Sequence, residues 1–178
     1  MAIKIFLLVY HIKELKKLKS KQIKIFVGHC FYGEKRVEKY RKLYNKIFNK
    51  EKYKIIFGTQ DSFQDYRDFF KEIRRLIRSS KYCIFDLKGY NKEKLPLNLN
   101  VLLETGISIG MGKKWYVMAP FKGICNKLVK EISNISGSNI RFYKIIKIIK
   151  ELKGIKRNID DWEKAKKYRK RKKLKNRK

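Results

Sequence analysis

The chain has 178 residues, 43% of them hydrophobic and 13% aromatic, enough for one domain with an ordinary core and too few for several. Its 48 Lys+Arg against 16 Asp+Glu give a formal net charge of +32, which reads either as a surface that draws polyanions or as the Lys-, Ile-, Asn- and Tyr-rich composition of an AT-rich genome. Three cysteines, Cys30, Cys83 and Cys125, are odd in number, widely spaced and form no CxxC, so neither a disulfide framework nor a zinc site is indicated, and a reducing cytoplasm fits best.

Ile3 to Tyr10 is apolar but interrupted by Lys4 and followed by Lys13, Lys16, Lys17 and Lys19, with no small-residue cleavage site. It is too short to span a bilayer, so no transmembrane segment is expected, and residues 1–20 read as an extension forming an edge strand or short helix. From Lys21 two periodicities alternate. Ile23–His29 is a short apolar run closed by Gly28, read as a buried strand. Glu34 to Asn49 carries Val37, Tyr40, Leu43, Tyr44, Ile47 and Phe48 on one helical stripe. Tyr53–Thr59 is a second strand, and Asp65 to Ser79 a second amphipathic helix through Phe69, Phe70, Ile73, Leu76 and Ile77. Tyr82–Leu87 is a third strand that contains Asp86 near its end, followed by a loop with Pro96.

Asn98 to Met111 reads as a helix apolar nearly all round, with Val101, Leu102, Leu103, Ile107 and Ile109, and such a helix is expected to be buried. Lys114–Pro120 is a fourth strand, Lys122–Ile135 a helix, Ile140–Phe142 a short last strand, and Tyr143–Leu152 a helix. Strands alternating with helices at this spacing predict an α/β domain over residues 21–153, with a mainly parallel sheet of about five strands and helices on both faces. Residues 154–178 read as a basic tail, helical or disordered, with 14 Lys/Arg against three acids from Lys153 onward.

In open parallel sheets, ligands bind beyond the carboxyl ends of the strands. Gly28 and His29, Gly58 and Thr59, Asp86, and the helix opening at Asn98 all collect there. No P-loop ending and no GxGxxG is present. Glu104 stands out, because a carboxylate on a buried helix must be paired, hydrogen-bonded or raised in pKa. Asn100 and Ser108, four residues either side, form one polar strip with it, and Gly106 and Gly110 offer close backbone approach. The plainer alternative is a Glu tied to a backbone group or a Lys, with both glycines packed on the sheet. His29 is a candidate acid or base by its ordinary pKa, or a hydrogen-bonded loop residue, and Asp86 equally suits capping of its loop.

The segments IKIFVGHCF, CIFDLKGY and NLNVLLETGISIGMGKKWYVMAP resemble the TIR-like and nucleoside 2-deoxyribosyltransferase-like nucleotide-binding superfamily, over about Ile23 to Leu152. The resemblance implies a flavodoxin-like three-layer sandwich and cleavage of an N-glycosidic bond in a nucleoside, nucleotide or NAD. By matching position, Glu104 would be the catalytic carboxylate. Asp86 and Asn98 or Asn100 would hold the ribose or base, Gly28 and His29 would line the pocket floor, and Ser108 would complete the polar strip. NAD or a nucleotide would be substrate, with no cofactor and no metal. Thr105 and Ile107–Ser108–Ile109 depart from the family pattern. Two other readings stay open: a non-catalytic nucleotide-sensing module, and a basic protein that meets nucleic acid or an anionic surface through its tail. Assembly into a homo-oligomer is an expectation of the resemblance alone.

Overall fold

A computed structural model describes residues 22–29, 34–58, 66–87, 98–120, 140–143 and 148–175. The strands are β1 (Ile23–Gly28), β2 (Tyr53–Phe57), β3 (Tyr82–Asp86), β4 (Lys114–Pro120) and β5 (Ile140–Tyr143). They form one parallel sheet in the order β2-β1-β3-β4-β5, the flavodoxin-like order. The helices are α1 (Glu34–Ile47), α2 (Tyr66–Ser79), α3 (Leu99–Gly110) and α4 (Ile148–Lys175).

Alternate strand residues feed two cores, as a sheet covered on both faces requires. Ile25, Val27, Tyr82, Ile84, Tyr116 and Met118 pack with Tyr44 of α1, with Phe48 just after it, and with Leu152, Ile155 and Ile159 of α4. Phe26, Cys83, Phe85, Trp115, Val117 and Ala119 pack with Ile73 and Ile77 of α2 and Val101 of α3. The predicted strands and the helices over α1 and α2 stand at their expected places. The extension at 1–20 and the helix read at Lys122–Ile135 lie outside the described residues.

Two helices differ from expectation. The basic segment does not start afresh near Gly154. α4 runs unbroken from Ile148 to Lys175, about 42 Å at a rise of about 1.5 Å per residue. Leu152, Ile155 and Ile159 continue one apolar stripe through Gly154, and all three are fully buried. Asp160 accepts from Lys52, Tyr53 and Lys156, and Glu163 from Tyr82 at 2.6 Å, which fastens the helix to the amino edge of the sheet. Asp161 sits mid-helix and exposed.

α3 is not buried all round either. Its inward face is Val101, Glu104, Thr105 and Ser108, whereas Leu99, Leu103 and Ile109 are 59%, 48% and 37% exposed. The entry of the chain sets this rotation. Asn98 N–H donates to the Leu87 carbonyl (2.9 Å), and the Asn98 side chain caps the helix by accepting from Val101 N–H (3.2 Å). Among the described residues, a Cβ on Gly106 or Gly110 would meet nothing within 4 Å, so neither glycine packs closely on the sheet. Gly112, at φ +62, turns the chain into β4.

Candidate functional site

The site lies at the carboxyl edge of β1 and β3, which pair with Gly28 opposite Phe85. Glu104, one turn into α3, turns its carboxyl onto the end of β1. A Cβ at Gly28 would overlap Glu104 Oε2 and come within 2.7 Å of the Phe85 ring. Gly28 is therefore the vacancy that admits the carboxyl, and any side chain there would displace it. Glu104 is only 5% exposed, and its Oε2 has no hydrogen-bond partner among the described residues. Burial pushes its pKa up to about 8, so the acid is mostly protonated at neutral pH. Among the described residues no lysine or backbone group engages Oε2, and burial alone accounts for the shift.

Neighbours of Glu104 on the same face are apolar or neutral. Thr105 Oγ1 returns its hydrogen bond to the Val101 carbonyl (2.7 Å). Ser108, fully buried, lies one turn deeper than Glu104, away from the carboxyl edge, beside Cys83. Burial raises the Cys83 thiol to about 11, with the Ser108 hydroxyl offsetting part of the shift and Glu104 adding to it.

On the opposite face, under α1, stands a second polar group. Asp86 is 1% exposed and accepts a hydrogen bond from Tyr40 Oη at 2.8 Å. The His29 ring stacks on Tyr40 (4.6 Å between centroids, 14° between planes) and meets Phe57 edge-on. Tyr44, one turn after Tyr40, is raised well above the usual phenol pKa by burial, then by Asp86 and Tyr40. The period of two along a strand explains the division. Gly28 and Phe85 face Glu104, while His29 and Asp86, next along β1 and β3, face α1. The two groups therefore lie on opposite faces of the sheet at the carboxyl ends of β1 and β3.

The candidates thus fall into three sets. Gly28 and Glu104 are brought together, and His29 and Asp86 are joined through Tyr40. Asn98 is engaged as the α3 cap, Asn100 is exposed on the first turn of α3, and Ser108 is buried behind Glu104. Tyr40 and Tyr44 were legible only as core-stripe residues of α1. Their four-residue spacing sets both phenols on the face toward Asp86, Tyr40 bonded to it and Tyr44 within its field, a signal visible once the strand order puts β3 beside β1.

No helix among the described residues is long and apolar enough to cross a membrane. No family model and no curated protein matches the chain. Among solved structures, the chain is similar to a 2-desoxiribosyltransferase from Leishmania mexicana, at 16% identity and a TM-score of 0.47, over 55% of this chain and 64% of that one. It spans just under two thirds of that protein's length. It is also similar to a conserved protein from Enterococcus faecalis V583, at 13% identity and a TM-score of 0.44, over 75% of this chain and 87% of that one.

Proposed function

We propose that the chain binds a nucleoside or nucleotide, NAD included, at the carboxyl edge of β1 and β3 and cleaves its N-glycosidic bond with Glu104. The observation that carries this reading is the buried Glu104 carboxyl, with no partner at Oε2 among the described residues and admitted by the missing side chain of Gly28.

Cleavage of a glycosidic C–N bond builds positive charge on the anomeric carbon. A carboxyl with a pKa near 8 is neutral at rest and ionises as that cation forms beside it, because the opposite charge restores what burial removed. The proton it loses is available to the departing ring nitrogen, and the electron pair of the broken bond leaves with the base. The resulting carboxylate then stabilises the sugar cation, or traps it as an ester that water or a second base opens. A nicotinamide base leaves neutral from a cationic substrate and needs no proton, so with that substrate the Glu104 proton passes to water as the carboxylate forms. On the α1 side, Asp86 is held by Tyr40 as an acceptor for sugar hydroxyls, with His29 as the adjoining wall.

The test is mass spectrometry of the full chain incubated with NAD and a panel of nucleosides and nucleotides, beside Glu104→Gln. Free base should appear with the unaltered protein and fall by about 100-fold or more in the variant, the scale of a lost acid or nucleophile. Equal turnover by Glu104→Gln would remove that residue from the mechanism. Thermal stabilisation by a ligand with no product would leave binding alone.

A further inference from the structure

At the amino edge of the sheet, opposite the site just described, α4 leaves the domain. Lys81 precedes β3 and Lys114 opens β4, and both point toward the helix. Lys114 Nζ lies over the Trp162 ring, buried and with no hydrogen-bond partner among the described residues. Burial lowers its pKa, and Lys166, Lys81 and Arg169 act in the same direction against the attraction of Glu163. That single carboxylate is already engaged by Lys81 at 2.5 Å and by Tyr82. Four cations therefore gather around one acid at the root of the projecting helix.

Beyond the root, Lys164 to Lys175 contains nine Lys or Arg and no acid. Residues 164–170 are exposed without exception. From Glu163 the helix extends a further 18 Å or so at about 1.5 Å per residue. Like charges one turn apart oppose a helix, so this half lacks internal compensation and would gain it from bound anions.

We propose that the distal half of α4, with the cations gathered at its root, is a docking arm for the phosphate backbone of double-stranded DNA. Three features select duplex DNA among polyanions. Among the described residues, the large exposed hydrophobics here are Trp162 at the root and Tyr168, six residues apart and on different flanks, so they form no apolar face to enter a lipid interface. The same separation provides no row of rings for successive bases of a single strand. A helix of about 10–12 Å diameter whose Lys and Arg are spaced around its whole circumference fits the B-form major groove, about 12 Å wide, and reaches phosphates on both walls, whereas the A-form groove of RNA is too narrow. The contacts are to phosphate and read no sequence. This arm is independent of Glu104, so either reading can fail without the other.

Fluorescence anisotropy of the full chain with a short labelled duplex of mixed sequence tests the arm across about 50–200 mM salt. The triple variant Lys166→Gln, Arg169→Gln, Lys170→Gln is compared with Lys71→Gln, Arg74→Gln, Arg78→Gln, which removes the same charge from the exposed face of α2. The arm variant should bind at least tenfold more weakly, with the salt slope reduced by about 3, while the α2 variant stays within about twofold. Lys166→Arg with Lys170→Arg should retain binding. Equal loss in both triple variants would assign binding to the field of the whole molecule and overturn the arm. So would tighter binding of a single strand, of duplex RNA or of phosphatidylserine vesicles than of duplex DNA.

Discussion

At the residue scale, Glu104 couples the site to stability. An unfolded Glu titrates near 4.5, and in the fold this one titrates near 8. Between those values the folded state holds a proton that the unfolded state has lost, so stability falls as pH rises. The contribution is complete below about 4.5 and gone above about 8, amounting to roughly 4–5 kcal/mol as an upper bound. Thermal melts should therefore drop between pH 5 and pH 8 in the unaltered chain and stay flat in Glu104→Gln, which should become the more stable protein under alkaline conditions. Parallel curves for the two would place the carboxyl in water. Gly28 gives a second check. Gly28→Ala should cost about 1–3 kcal/mol through overpacking against Glu104 and Phe85. Adding Glu104→Ala should return part of that loss, because one of the two obstructing groups is then absent, and urea unfolding of the four proteins measures the coupling. Glu104 was legible in the sequence as a carboxylate amid Leu and Ile. The role of Tyr40 was not, since a tyrosine on an amphipathic stripe looks the same whether it packs or donates to an acid on a neighbouring strand.

At the element scale, the strands and their order follow from runs that local chemistry marks well: β-branched and aromatic residues bounded by Gly, Asn or Ser. Rotation of a helix is a different matter. The composition of α3 says only that it is mostly apolar, and its phase is set by the Asn98 cap and its hydrogen bond to Leu87, which lie in tertiary geometry. Hence Glu104 and Ser108 turn inward while Leu99 and Leu103 face solvent. For α4 the error has a simpler cause. The surge of lysine after Gly154 hid the spacing of Leu152, Ile155 and Ile159, which was present in the sequence all along. If the helix is core up to Ile159, Ile155→Ala should cost about 2–4 kcal/mol in urea unfolding. A change under about 0.5 kcal/mol, normal for an exposed site, would mean that the segment is an appendage after all. Asp160 adds a pH signature of opposite sign to that of Glu104. Burial pushes its carboxyl up, but hydrogen bonds from Lys52, Tyr53 and Lys156 outweigh this and hold it at about 2. Its contribution is present above its unfolded value of 3.8 and is lost as pH falls through about 2.

At the scale of the whole molecule, cations outnumber acids three to one, so most lysines and arginines have no carboxylate to meet. The acids that do pair are spent on single contacts such as Glu38 with Lys42 and Glu72 with Arg75, or on fastening α4. Added salt acts on both kinds of interaction. It weakens exposed ion pairs, which are worth little to begin with, and it screens repulsion among the many unpaired cations. Repulsion is the larger quantity at +32, and folding concentrates it by drawing the charges together. Raising NaCl from about 0.02 to 0.3 M shortens the screening length from roughly 20 Å to 6 Å, less than the width of the domain. The melting temperature should therefore rise with salt, by about 1 kcal/mol or roughly 2–4 °C for a chain of this size. Lysine charge hardly changes between pH 5 and pH 8, so the salt effect should be equal at both, while the Glu104 effect changes with pH alone. A melting temperature that falls as salt rises would mean that the contacts of Asp160 and Glu163 govern stability more than the surrounding repulsion, and that α4 is held to the sheet chiefly by charge rather than by its buried isoleucines.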